Sequence, residues 1–237
     1  MSRLTSPRDV IFMETPGGIL VMAVDSCGSI GLLPNDTLRV DPEIAGRFTA
    51  RVALLEVLAV GARPMFASVA IACGPQTAEP LLTGVRSVLG ADFPLIVSTE
   101  KNMPTSMTAF GVTVTGFCEP GKLRTGCAER GDVLYCAGVP LVGIQTLEPG
   151  ARLFDEAALR SLFDDSRVHA VIPAGSRGVA AEARVLAEES GFTARLDPQA
   201  GVDLLQSAGP SSCAVFAAPP CARFEVSLPV TEIGTLI

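Results

Sequence analysis

The feature that most constrains the fold is the segment RVALLEVLAVGARP, residues 51–64, where one carboxylate interrupts an apolar run. From Val52 to Val60 every residue except Glu56 is apolar. A helix that is apolar on all sides is buried in a core, and a carboxylate inside it is costly unless it is paired, protonated or bound to a cation. The residues three and four positions away on the same helix are all apolar, so another element must supply the partner of Glu56.

Composition predicts a packed globular protein and argues against several classes of partner. The 237 residues suffice for one large domain or two small ones, and a hydrophobic content of 48% against 18% charged residues excludes a disordered chain. The net charge of −7 argues against a nucleic-acid partner or an anionic membrane surface. With no tryptophan and one tyrosine, Tyr135, the chain also lacks residues on which bases stack.

The cysteines and the apolar runs predict a cytoplasmic location. Seven cysteines occur singly, without a C-x-x-C pair, which favours reduced structural thiols. No run approaches the roughly 18 apolar residues of a membrane span, and the N-terminal sequence MSRLTSPRDVIF lacks the apolar core of a signal peptide.

Strands and helices alternate along the chain on both sides of one linker-like stretch. DVIFMETPGGILVMAVD predicts a hairpin turning at residues 16–18, and the buried helix is predicted to begin at Asp41–Pro42 and to end by Gly61. The Gly-rich and charged segment EPGKLRTGCAERGD separates two α/β lobes, predicted as domains 1–121 and 122–237. The second lobe is predicted to contain strands at VLYCAG, VHAVIPAG and SCAVFAAP and helices at FDEAALRSLF, VAAEARVLAEES and, briefly, near VDLLQSA.

Four carboxylates stand at positions that favour metal-dependent phosphoryl transfer. Asp9 opens the first predicted strand, Asp25 closes the second, Glu100 closes LIVSTE, and Glu56 lies in the buried helix. Mg²⁺ takes oxygen ligands, usually one or two carboxylates together with substrate phosphates, and neutralises charge on those phosphates. The alternatives are that Asp9 and Asp25 are ordinary turn residues and that Glu56 belongs to a buried salt bridge.

Glycine-rich turns are candidates for phosphate binding, and each is also consistent with an ordinary turn. DSCGSIG could present backbone amides to phosphate oxygens, although it lacks P-loop spacing. In VIPAGSRGVAAEA, Ser176 and Arg177 precede a predicted helix, and a helix start beside an arginine favours anions. His169, the one histidine, is predicted to be a strand residue, so no His–carboxylate nucleophile system and no general base is proposed.

These stretches together resemble the AIR synthase (aminoimidazole ribonucleotide synthetase) superfamily, which includes thiamine-monophosphate kinase, selenophosphate synthetase and a hydrogenase-maturation protein. The family's helix A-x-N-x-S-D-L-A-A-M-G-A-x-P corresponds to ARVALLEVLAVGARP, and its G-D-x-I-Y-V-T-G corresponds to GDVLYCAG at residues 131–138. PRDVIF, MAVD and STEK occupy the places of the family's other aspartate motifs.

The resemblance implies an AIR synthase-like α/β (α+β) fold of two lobes. An N-terminal mixed sheet with helices would bind ATP and metal and form a homodimer through its sheet, and the C-terminal lobe is shortened. By the same resemblance Mg²⁺ is expected at Asp9, Asp25, Glu56 and Glu100. Nucleotide or acceptor contacts are expected from the following residues: Gly28, Ser29, Gly31, Ser98, Thr99, Asn102, Ser176 and Arg177.

Departures from the family pattern point to a particular branch. Two metal positions carry Glu in place of Asp, and VIPAGSRG has Ala174 where thiamine-phosphate kinases have an acidic motif, which argues against thiamine phosphate as the acceptor. STEKNMPTSMTAFGVTVTG most resembles a short branch described as α-ribazole kinases in cobamide precursor salvage. The leading hypothesis is therefore an ATP- and Mg²⁺-dependent kinase of a small ribosyl metabolite. The alternatives are an ATP-dependent synthetase or dehydratase of the same fold and a non-catalytic nucleotide-binding regulatory subunit.

Overall fold

The computed structural model describes residues 4–220 and 223–237. The chain divides into two compact units, and each is described by itself. The first extends to Gly121 and lacks residues 59–61, whereas the second comprises Ala59–Gly61 and Lys122–Ile237. Within the described residues no helix is long and apolar enough to cross a lipid bilayer.

The first unit is built on a six-stranded mixed sheet in the order β1-β2-β3-β8-β6-β7. Its elements in chain order are β1 (Leu4–Arg8), β2 (Val10–Thr15), β3 (Gly18–Gly28), β4 (Ile30–Gly31), β5 (Leu38–Arg39), α1 (Pro42–Ala59), β6 (Arg63–Ile71), α2 (Pro75–Leu89), β7 (Leu95–Thr99) and β8 (Ala109–Cys118). The short strands β4 and β5 pair with each other in parallel. Strands β3, β6 and β7 run in the same direction, so their C-terminal ends meet at one edge of the sheet.

The predicted hairpin of β2 and β3 is confirmed, with Thr15 opposite Gly18 across the turn. The Thr15 hydroxyl donates to the Gly18 carbonyl at 2.9 Å. Gly18 has φ +149°, and a Cβ there would lie 2.5 Å from the Cys118 carbonyl oxygen, so the turn requires glycine for both conformation and space.

Helices α1 and α2 cover one face of this sheet. The Asp41 carboxylate accepts the Glu43 amide at 2.9 Å, which confirms the predicted helix start, and Gly61 follows the helix end with φ +81°. The two helices pack closely because a Cβ at Gly46 would overlap the Leu81 carbonyl, and one at Gly84 would overlap the Glu43 carbonyl.

The second unit is a five-stranded antiparallel sheet in the order β10-β12-β9-β13-β11. Its elements are β9 (Val133–Gly138), a 3-10 helix (Gly143–Leu147), α3 (Glu156–Asp164), β10 (Ala170–Pro173), α4 (Val179–Glu189), β11 (Ala194–Leu196), β12 (Cys213–Ala218) and β13 (Val230–Leu236). Strands β9 and β12 are buried along their whole length. Helix α4 packs on β10, β11 and β12 around an apolar core.

Two sequence-based predictions for this unit are corrected. The helix predicted near VDLLQSA is absent from the described residues, where 201–207 contains only bends and irregular backbone. Asp203 explains this, because its carboxylate accepts the amides of Leu205 and Gln206 at 2.9 and 3.0 Å and so closes a local turn. The tail TEIGTLI forms most of β13 beside β9, a strand that was not predicted from the sequence.

The six described cysteines form no disulfide, and Cys221 lies outside the described residues.

Candidate functional site

Asp9 and Asp25 lie near each other in the first unit, where β2 and β3 are neighbouring strands. Asp9 occupies the exposed bend between β1 and β2, and Asp25 is half-buried on β3, two residues beyond the pair Val10–Ala23. Burial raises the pKa of Asp25 to about 6, against a Ser26 amide hydrogen bond that lowers it, and the charge of Asp9 raises it further. The two charges therefore interact, and carboxylate oxygens are the ligands that hard cations take.

Asp25 points to the sheet face that α1 covers. Side chains alternate along a strand, and Cys27, two residues on, is hydrogen-bonded to Thr49 of α1. Burial also raises the pKa of the Cys27 thiol to about 11, which disfavours the thiolate at neutral pH.

Glu56 is 6% exposed and lies in α1, as predicted. It is two helical turns beyond Thr49 and therefore on the same side of the helix. The next residue, Val57, packs where a Cβ of Gly116 would be, which places this part of α1 over β8. The carboxylate of Glu56 is thus inside the first unit, between helix and sheet.

Glu100 directly follows β7. It therefore lies at the same sheet edge as the C-terminal end of β3, three strands along the sheet. Its amide donates to the Ile71 carbonyl at 2.8 Å. Its Oε1 accepts the amides of Asn102 and Met103 at 2.6 and 3.1 Å, and these hydrogen bonds hold the pKa of Glu100 below its usual value. The carboxylate therefore stays ionised and fixed in a tight turn.

The four predicted metal ligands do not converge on one point. Among the residues that the structure describes, no group of three or more Asp, Glu, His or Cys side chains could hold a metal ion. Strands β8 and β6 stand between β3 and β7, so Asp25 and Glu100 are separated by three strand spacings, about 14 Å. Asp9 and Asp25 form one candidate position, and Glu100 belongs to another.

A carboxylate that the sequence reading missed organises the loops at this edge. Asp36 is buried and accepts hydrogen bonds from the amides of Leu33 and Thr108 at 2.8 and 2.7 Å and from the Thr108 hydroxyl at 2.8 Å. Burial opposes its charge, yet these hydrogen bonds keep the pKa of Asp36 below its usual value. The available signal was the polar PNDT turn at residues 34–37, directly before β5.

In the predicted phosphate-binding turn at residues 28–31, other parts of the chain already use some of the hydrogen-bond donors and the space. The Ser29 amide donates to the Thr108 carbonyl at 2.8 Å, so it is not available to a phosphate. A Cβ at Gly31 would lie 2.6 Å from Asp36 Oδ2, so Gly31 is required for the loop packing. Gly28 has open space around its Cα and remains a candidate for close approach of a ligand.

The polar residues predicted around β7 do not share one surface. Ser98 and Thr99 are successive strand residues and therefore point to opposite faces of the sheet. Asn102 is exposed in the loop that holds Glu100. Thr99 and Asn102 thus border the edge where Glu100 lies, whereas Ser98 lies on the sheet face without helices.

At the start of α4, where Ser176 and Arg177 are predicted to bind an anion, carbonyl groups of residues 204–206 lie against the helix. The Ala180 amide in the first turn donates to the Leu204 carbonyl at 2.8 Å. A Cβ at Gly178 would meet the carbonyl oxygens of residues 204–206 at 2.8–3.1 Å, so oxygen atoms surround this helix start and disfavour an anion. Ser176 is exposed, and Arg177 is half-exposed with a nitrogen 3.4 Å from buried Glu182.

The structure also contains a His–carboxylate pair that the sequence did not predict. His169 Nδ1 lies 2.8 Å from Asp132 Oδ2, and Asp132 also accepts the Glu129 amide at 2.8 Å. His169 directly precedes β10, and Asp132 directly precedes β9. These two strands run in the same direction on either side of β12, so both residues lie at the same edge of the sheet. The pair fixes the start of two strands in the second unit.

A protein-family model matches most of the first unit. Residues 8–118 match the family model of the AIR synthase related protein, N-terminal domain. No curated protein matches the chain.

Solved structures match over nearly the whole chain at low identity. A structure titled AaThiL complexed with AMPPCP and TMP shares 18% identity with a TM-score of 0.65, over 97% of this chain and 84% of that chain. Thiamine-monophosphate kinase from Stenotrophomonas maltophilia K279a shares 19% identity with a TM-score of 0.61, over 99% and 88%. Hydrogenase maturation protein HypE shares 15% identity with a TM-score of 0.62, over 97% and 83%. These likenesses establish the AIR synthase-like fold, and the fold is common to proteins of different activity.

Proposed function

We propose that this chain, which is an AIR synthase-like protein, is an ATP- and Mg²⁺-dependent phosphotransferase whose acceptor is a small ribosyl metabolite. The observation that carries the proposal is the charge interaction between Asp9, in the bend before β2, and Asp25 on the neighbouring strand β3, within the domain that matches the family model. AaThiL, one of the similar structures, is complexed with AMPPCP, an ATP analogue, and this supports ATP as the proposed phosphate donor.

Magnesium is the proposed metal because it takes carboxylate oxygen ligands. Asp9 and Asp25 would hold one Mg²⁺, Glu100 would hold a second, and Glu56 is the third proposed position, approached from the helix side of the sheet. Mg²⁺ bound there would neutralise charge on the phosphates of ATP. Because Asn102 and Met103 already occupy Oε1 of Glu100, its other oxygen is the one proposed for the metal.

Nucleotide and acceptor contacts are proposed at the same sheet edge. Gly28 would admit close approach of a phosphate, and Thr99 and Asn102 would offer polar groups beside Glu100. Phosphoryl transfer through a loose transition state depends chiefly on positioning and charge, so the proposal needs no strong general base. Arg177 remains a proposed acceptor contact through its half-exposed guanidinium and no longer through the α4 helix start.

A homodimer is part of the proposal, because one face of the six-stranded sheet carries several exposed apolar side chains. Two rows of paired residues cross this face, Ile11–Met22–Thr115–Phe66 and Val24–Thr113–Ser68–Ile96. Val24 is 63% exposed and Ile96 is 70% exposed. An apolar surface of this kind marks an interaction site, and a second copy of the same face would cover it.

α-Ribazole is the candidate acceptor, and its support is the sequence resemblance of STEKNMPTSMTAFGVTVTG to the α-ribazole kinase branch. The test is a turnover assay with ATP, Mg²⁺ and a panel of ribosyl acceptors that includes α-ribazole. We expect one phosphorylated acceptor and ADP in equal amounts. ATP cleavage with incorporation of amine or loss of water would favour the synthetase or dehydratase alternative, and nucleotide binding without any turnover would favour the regulatory subunit.

A further inference from the structure

Lys101 is the one basic residue in the loops at the sheet edge where the proposed nucleotide contacts lie. These loops follow the C-terminal ends of β3, β6 and β7 and comprise residues 28–37, 72–74 and 100–108. They also carry the carboxylates of Asp36 and Glu100. Arg39, the next basic residue along the chain from the first loop, lies in β5 and donates to the Leu33 carbonyl at 3.0 Å. Lys101 is therefore the main source of positive charge in these loops.

The ammonium group of Lys101 is available to a ligand. The side chain is exposed, and it makes no hydrogen bond or ion pair with a residue in the described part of the chain. The preceding carboxylate, Glu100, instead accepts the amides of Asn102 and Met103. An ammonium on a flexible stem has three donors, so it can reach and follow the oxygens of a phosphate chain.

Lys101 borders the same open space as Thr99, which is already a proposed nucleotide contact. Both residues line a groove of about 380 Å³, together with Pro75 and Ala78 from the first turns of α2. Helix α2 begins soon after β6, and β7 runs parallel to β6, so the start of α2 and the end of β7 lie at one edge of the sheet. The groove leaves room for phosphate groups beside the Lys101 side chain.

We propose that Lys101 binds the terminal phosphates of the nucleotide and offsets the negative charge that Mg²⁺ leaves on them. This inference rests on the proposed function, because it takes ATP as the ligand. A lysine suits the role because its ammonium acts as a point charge on phosphate oxygens. Glu79, one helical turn beyond Pro75 on α2, lines the same groove, and its negative charge opposes the binding of phosphates.

The first test follows the two lysines of the chain, Lys101 and Lys122, by nuclear magnetic resonance. Reductive dimethylation with ¹³C-formaldehyde labels both ammonium groups and keeps their charge, and Lys101→Arg and Lys122→Arg assign the two signals. Lys122 is exposed in the segment after β8 and serves as the control within the same molecule. On titration with AMPPCP and Mg²⁺ we expect the Lys101 signal to shift saturably and the Lys122 signal to stay in place.

The second test measures AMPPCP affinity by calorimetric titration with Mg²⁺. Lys101→Met keeps the length of the side chain and removes its charge, so it should weaken AMPPCP binding about fivefold. Lys101→Arg should stay within about twofold of the wild type, and Glu79→Gln should bind AMPPCP about twofold more tightly. AMP lacks the terminal phosphates, so its affinity and the melting temperature should be the same in the wild type and in Lys101→Met, which a structural role for Lys101 would not produce.

These measurements separate the role of Lys101 from the kinase activity. A wild type that binds AMPPCP with a shift of the Lys101 signal but transfers no phosphate would refute the proposed kinase and support the role of Lys101. Absence of AMPPCP binding up to about 10 mM, an unmoved Lys101 signal in the bound protein, or unchanged AMPPCP affinity in Lys101→Met would overturn the inference.

Discussion

Asp36 accepts both the backbone amide and the hydroxyl of Thr108, at 2.7 and 2.8 Å, although 72 residues separate the two in sequence. The contact ties the loop after β3 to the segment before β8. These loops border the sheet edge beyond Asp25 and next to Glu100, so one buried carboxylate fixes the surroundings of the proposed site. Asn35 adds a second link, since its side chain donates to the Ser106 hydroxyl at 2.9 Å.

Replacing Asp36 with Ala should lower the free energy of unfolding by about 2–4 kcal/mol, because the buried donors of Thr108 and Leu33 lose their acceptor. Thr108→Val keeps the amide hydrogen bond and should cost about half as much. Urea unfolding followed by circular dichroism measures both changes. Asp92→Ala, at an exposed loop position, is the control and should shift stability by less than about 0.5 kcal/mol.

The contribution of Asp36 should depend on pH in a defined direction. Its pKa in the folded protein is depressed, so its ionised form stabilises the fold above the unfolded-state pKa, and this stabilisation is lost as pH falls through the folded-state value. The stability difference between the wild type and Asp36→Ala should therefore be full at pH 7 and shrink below about pH 4. A difference that stays constant down to acid pH would contradict this role for Asp36.

Gly84→Ala should destabilise the first unit strongly, because a Cβ there would overlap the Glu43 carbonyl of α1. Backbone cannot move aside as a flexible side chain does, so the two helices must separate, at a cost of about 2–4 kcal/mol. Gly74→Ala, at the N-cap of α2, has nothing within 4 Å of the new Cβ and serves as the control. Thermal unfolding of both variants checks the prediction; equal melting temperatures would show that the helices do not pack as described.

A charge placed on the open sheet face should prevent dimer formation. Ile96→Glu puts a carboxylate at the β7 end of a row that a second copy would cover, and burying an unpaired charge is prohibitive. Ile144→Glu makes the same exchange at a residue that is 59% exposed in the second unit. Light scattering at micromolar concentration should give a dimer for the wild type and for Ile144→Glu, and a monomer near 24.6 kDa for Ile96→Glu. A monomeric wild type would refute the homodimer.

Magnesium-dependent nucleotide binding should weaken about tenfold or more in Asp25→Asn and Glu100→Gln, since each exchange keeps the shape and removes a ligand charge. Calorimetric titration with AMPPCP, with and without Mg²⁺, measures the effect, and Glu119→Gln at an exposed position is the control. Glu56→Gln separates two roles: a metal ligand loses nucleotide affinity, whereas half of a buried ion pair chiefly loses stability, about 3–5 kcal/mol. Unchanged nucleotide affinity in both Asp25→Asn and Glu100→Gln would rule out the proposed metal positions.

Local signals predicted most of the fold. The apolar run around Glu56, the Asp41–Pro42 start and the turn at residues 16–18 are short-range features, and each predicted its element. The short helix near VDLLQSA was predicted wrongly because the Asp203 carboxylate competes for the local amides. The strand β13 was missed because its pairing with β9 joins segments almost 100 residues apart, which no local pattern reveals.

The site could be predicted only in part, because strand order is a tertiary property. The sequence predicted both Asp25 and Glu100 at strand ends, but β3 continues beyond Asp25 to Gly28, and two strands separate the two carboxylates. In the same way, the pairs Asp36–Thr108 and His169–Asp132 depend on which loops share an edge of a sheet. The availability of amides at Ser29 and Ala180 also depends on carbonyl groups that distant segments bring to them.

The measurement that tests the central proposal most directly is transfer of the labelled γ-phosphate of ATP to α-ribazole, in the wild type and in Asp25→Asn, with and without Mg²⁺. The proposal predicts labelled α-ribazole phosphate and an equal amount of ADP in the wild type with Mg²⁺, and a rate at least about 100-fold lower in Asp25→Asn. A wild type that forms no α-ribazole phosphate, or an Asp25→Asn variant that forms it at the wild-type rate, would contradict it.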